Sequence, residues 1–145
     1  MPLYHPQNTL ALLSLMGFDE LQVRDDSYVS FRFAGEVYET ARMEGCACIG
    51  IVREVYSDDE YFAVMETGDE MMGMNPHLQC LYSTTDCVRI RLWVPCADAN
   101  AFESALLGGM DKMDLIKSDF ESRVQHHLFK MAAPAFENIL HNDKE

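Results

Sequence analysis

A chain of 145 residues with 48% apolar and 24% charged residues has the balance of a folded globular domain, and at that length it buries about two thirds of its unfolded surface. One domain spanning 1–145 therefore needs no disulfide or metal staple. The formal net charge of −13 and pI near 4.6 repel phosphate and forgo counterion release, which argues against nucleic acid and anionic membrane as partners.

No apolar run approaches the ~18 residues of a membrane span, and "MPLYHPQNTLALLSLMG" lacks the basic n-region of a signal peptide. Five cysteines, an odd number, stand beside ten methionines, which suits a reducing compartment. Free thiols and a cytoplasmic location are expected.

Pro6 stands at a helix start, Leu10 and Leu13 follow at helical spacing, and Gly17 is placed to stop the helix. From Leu21 the period changes to two. "SYVSFRF" puts Val29, Phe31 and Phe33 on one face and Tyr28, Ser30 and Arg32 on the other. Ala34-Gly35-Glu36 reads as a hairpin turn and Glu44-Gly45 as a second break, so a meander of three strands is predicted.

Ser57, three residues before Glu60, has capping-box spacing, and acids fill the first turn of the helix that follows. Gly68 and Gly73 weaken that helix by about 1 kcal/mol each relative to alanine. Asn75-Pro76 ends it. "LQCLYSTTDCVRIRLWVP" reads as a hairpin turning at Thr84 to Asp86. From Asp98, an N-cap, an amphipathic helix runs towards Lys130, bent or split at Gly108-Gly109, and a further short helix is expected after Pro134. The predicted class is α+β: an antiparallel sheet of about five strands, order α-β-β-β-α-β-β-α, with the N- and C-terminal helices packed on one face.

This order, with the acidic pI, resembles the fold shared by type III secretion chaperones of the CesT (Tir chaperone) type and the YbjN family. "LMGFDELQVRDDSYVSFRFAGEVYE" looks like the opening of YbjN-like proteins, and "TTDCVRIRLWVPCADANAFESALLGGMDKM" like their later strand and closing helix. The resemblance covers residues 8 to 124, and the middle segment departs from it in lacking the longer, more polar helix and the Asn-rich ending. It implies a small, often dimeric domain that binds other proteins, with the middle helix and last strands near the dimer contact. It carries over no catalytic residues.

The strand "CVRIRLWVP" sends Val88, Ile90, Leu92 and Val94 one way and Arg89, Arg91 and the single Trp93 the other. Tyr28, Arg32, Arg89, Arg91 and Trp93 then share one sheet face. Trp and Arg are enriched at contact hot spots and stack on each other, so this face is expected to receive a protein or peptide partner, and a cationic strip there would orient an acidic one. Met65, Gly68 and Met72 on the middle helix are the candidate dimer contact, since thioethers adapt and glycine permits close approach, with core packing the equal alternative from the same residue chemistry.

Cys46 and Cys48 could ligate zinc with His77 and Cys80, which would make the chain a metal or small-molecule sensor, but their spacing is not that of a zinc knuckle and small apolar packing accounts for them. Asp25-Asp26 and Asp58-Asp59-Glu60 lack EF-hand spacing and read as turn and N-cap chemistry, and His126-His127 as a solvated helix end. No Walker loop, G-x-S-x-G, H-E-x-x-H or dinucleotide fingerprint occurs. A non-enzymatic, homodimeric interaction domain without a cofactor is the expectation.

Overall fold

In a computed structural model that describes residues 2–143, and side chains through residue 134, three helices cover one face of a six-stranded antiparallel sheet. The elements are α1 (Pro6–Leu15), β1 (Asp19–Val23), β2 (Val29–Phe33), β3 (Glu36–Met43), β4 (Cys46–Glu54), α2 (Asp58–Met74), β5 (Leu78–Leu81), β6 (Cys87–Pro95) and α3 (Phe102–Asp143). The strands lie in the order β1-β2-β3-β4-β6-β5, so β4 and β5 run parallel with β6 antiparallel between them. The class is α+β as predicted, but there is one more strand than expected. Its sequence, "DELQV", hides the period because a bulge shifts the register between Asp19 and Gln22 and Glu20 takes a φ of +57°.

Local chemistry sets the boundaries. Pro6 opens α1, and Gly17, at φ +84°, follows its end in the left-handed conformation that favours glycine. Ala34 and Gly35, both at positive φ, make the two-residue β2–β3 turn. Ser57 Oγ accepts the Glu60 N–H at 3.1 Å at the start of α2, and Asp98 Oδ1 accepts the Ala101 N–H at 3.0 Å, opening a 3-10 turn (Ala99–Ala101) that runs into α3.

The core lies between sheet and helices. Val29, Phe31, Ile49, Val88, Ile90 and Leu92 meet Leu13 of α1, Val64 and Met71 of α2 and Leu106, Met113 and Phe120 of α3. Gly108-Gly109 does not split α3. Gly109 lies directly on Ile49 and Val94, so its missing side chain lets the helix settle onto β4 and β6. Nor does Pro134 begin a new helix, for it lies inside α3, which continues to Asp143. The charged end, Lys144 and Glu145, lies outside the described residues. No helix among the described residues is long and apolar enough to cross a membrane.

Candidate interaction surface

The sheet face opposite the helices carries the side chains that alternation had grouped. One row runs Ser30, Glu39, Gly50, Arg91, Gln79 across β2, β3, β4, β6 and β5, and the neighbouring row holds Ala41, Cys48 and Trp93. Tyr28, Ala41 and Cys48 form a small buried cluster against which Leu3 and the half-buried Trp93 pack.

At the centre of this face is a residue that the sequence reading did not single out. Glu39 is 2% exposed, although it carries a carboxylate. Its Oε1 accepts Arg91 Nε–H at 3.1 Å, its Oε2 accepts Arg89 Nη1–H at 2.5 Å, and Arg24 Nη1 stands 3.7 Å from the same oxygen. Arg91 also reaches Asp26 Oδ2 at 3.4 Å, and its guanidinium lies 3.9 Å from the centroid of the Tyr28 ring. Burying a carboxylate is tolerable only where such donors replace its water, and three guanidiniums around one carboxyl group do so.

Gly50 makes the arrangement possible. A Cβ there would sit 2.9 Å from Glu39 Cγ and 3.1 Å from Arg91 Cγ, so only glycine leaves room for the pair to meet over β4. Burial raises the Tyr28 phenol and lifts the Cys48 thiol to about 12, despite the opposing effect of the Tyr28 hydrogen bond and of Arg91.

The expected strip is thus corrected in two respects. Arg91 stacks on Tyr28 rather than beside Trp93, and Arg89 and Arg91 are engaged by Glu39 and Asp26 rather than free for an acidic visitor. Arg32 is exposed and bonds Glu20 at 2.7 Å. What the face does offer is apolar: Val37 (49% exposed) and Val52 (41%), facing Arg32 and Arg89 in the ladders, line a groove of about 300 Å³ with Arg24, Ser30, Glu39 and Glu54.

The three middle-helix residues serve a seam within the chain. The space beside Gly68 is filled by the Tyr82 hydroxyl, which bonds Met65 O at 3.3 Å, and Met72 Sδ accepts the Cys80 N–H at 3.2 Å. Cys46 and Cys48 belong to the open face and Cys80 to the helix-covered core, so the four zinc candidates do not converge. Among the described residues no group of three metal-ligating side chains is assembled.

His127 is no solvated helix end. Only 9% exposed, it sets Nδ1 3.0 Å from Glu66 Oε2 and Nε2 2.7 Å from Glu70 Oε1, which ties α3 to α2. Its neighbour His126 is exposed. Arg53, from β4, makes a bidentate pair with Glu121 of α3 and bonds Glu60 of α2 at 2.6 Å. Arg42 differs from all of these. It is 7% exposed, lies between the Tyr4 and Phe102 rings, and has no carboxylate partner among the described residues.

Comparison with protein-family models, with curated proteins and with solved structures gave no match.

Proposed function

We propose that this chain is a non-enzymatic protein-interaction domain, chaperone-like or regulatory in the sense of the YbjN and type III secretion chaperone resemblance, and that it works as a homodimer in the cytoplasm. The observation that supports this reading is the open sheet face, where the bonded cluster of Glu39, Arg89, Arg91 and Tyr28 lies beside two exposed valines and the half-buried Trp93. A preordered surface with an apolar centre costs little entropy to engage, which suits recognition of another protein. Burial pushes the Cys48 and Cys80 thiols up to about 12 and about 11, which disfavours a thiolate nucleophile at these two positions.

A photo-activatable residue placed at Val52 or at Trp93 in the native cell tests the reading, with Leu115, 74% exposed on α3, as the control position. Adducts from the sheet face and not from α3 are the expected result; adducts from α3 alone would refute it. Sedimentation at micromolar concentration should return twice the 16.5 kDa chain mass.

A further inference from the structure

The valine groove adjoins a second hollow, of about 360 Å³, that shares Arg24 and Ser30 with it and is also lined by Gln22, Val23, Asp25 and Asp26. Together they form one shallow channel over the open face. Arg24 and five acidic residues, Asp25, Asp26, Glu36, Glu39 and Glu54, line it, with Arg89 and Arg91 bonded to Glu39 beside it and Glu36 paired with Lys117. The guanidiniums are all taken by Glu39 and Asp26. Asp25 and Glu54 have no cationic partner among the described residues. The Glu54 carboxylate accepts the Tyr56 hydroxyl at 2.8 Å, the Arg53 guanidinium bonds the Glu54 backbone carbonyl at 2.9 Å, and Asp25 is exposed.

The channel therefore has an aliphatic centre and unneutralised negative charge on both sides, in a chain of formal net charge −13. An acidic partner would have to displace Glu39 from Arg89 and Arg91 and would meet repulsion from everything else. A cationic one would find the Asp25 and Glu54 carboxylates without a paired cation.

We propose that the channel takes a basic segment of a partner protein that carries an aliphatic or aromatic side chain, with the apolar group on Val37 and Val52 and Lys or Arg at Asp25 and Glu54. This deepens the reading of the open face as a contact surface and rests on it.

The probes are three fluorescently labelled octapeptides of alternating sequence, Lys-Val, Ser-Val and Glu-Val, titrated by anisotropy against the full chain at physiological salt. The Lys-Val peptide should bind at least about tenfold more tightly than Ser-Val, and Glu-Val should not bind. Asp25→Asn with Glu54→Gln should weaken Lys-Val about tenfold, as should Val37→Ser with Val52→Ser, whereas the same charge change on α3, Glu103→Gln with Asp111→Asn, should leave it within about twofold.

Equal weakening by the α3 pair would mean non-specific attraction to an acidic chain and would overturn the proposal. Binding of Ser-Val or Glu-Val as tightly as Lys-Val would overturn the charge preference and leave the contact face standing. If no peptide binds and the Val52 photo-adducts are also absent, the contact face falls with it.

Discussion

Glu39 of β3 and Arg91 of β6 lie two strands apart, and Nε of the arginine reaches Oε1 of the glutamate at 3.1 Å over the bare backbone of Gly50. The three residues form one ladder row, so the pair ties the sheet across its middle; removing Glu39 strips Arg89 of its carboxylate and leaves Arg91 only Asp26, and removing Arg91 leaves the buried Glu39 with Arg89 and the more distant Arg24. Glu39→Gln and Arg91→Met are each expected to cost about 3 kcal/mol. Arg42→Met, which strands no carboxylate, should cost less than about 1 kcal/mol, because an apolar side chain between two rings keeps the packing. Urea unfolding of the three variants checks the contrast.

Gly50→Ala should destabilise by about 1 to 3 kcal/mol, since its Cβ meets Glu39 and Arg91 at distances that force one of them aside. On a Glu39→Ala background the same substitution should cost much less. A double-mutant cycle measures that coupling, and strict additivity would show that the clash is not with the pair.

Stability should fall at alkaline pH. Tyr38 and Cys48 are raised to about 12, from ordinary values of 10.0 and 9.0, and Cys80 to about 11, chiefly by burial. Between about pH 9 and 12 the folded chain therefore holds protons that the unfolded chain has released, and stability present below pH 9 is lost as pH rises through that window. Urea midpoints at pH 8 and pH 10.5 should differ in that direction, and Cys48→Ala should reduce the difference.

Thiol labelling of the folded chain at pH 8 should divide the five cysteines. Cys46 and Cys87, partly exposed, react first, while Cys48, Cys80 and Cys96 react only as fast as the chain opens. Mass mapping of the labelled sites reads the order.

Alternation alone showed which face holds Tyr28, Arg32, Arg89, Arg91 and Trp93, because the side chains of β2 and β6 keep a period of two without interruption. It could not show that Glu39 takes up the arginines. That depends on the register of β3 against β4 and of β4 against β6, and register comes from the whole sheet. A glycine in the middle of "CACIGIVREV" was the available signal, since an interior strand glycine marks a close approach. The bulge at Glu20 concealed β1, and the carboxylates that receive His127 lie some sixty residues earlier, on another helix. Gly109 illustrates the opposite error: what the composition suggested was a bend in α3 is a site of helix–sheet packing.

As an interaction domain, the chain should bind another protein through its open sheet face. Affinity purification from the native cell, comparing the natural chain with a Val37→Ser, Val52→Ser variant whose folding is verified by urea unfolding, tests that most directly. A discrete protein that co-elutes with the natural chain and is lost from the folded variant is the predicted result. The same protein recovered equally from both would place binding elsewhere and contradict the account.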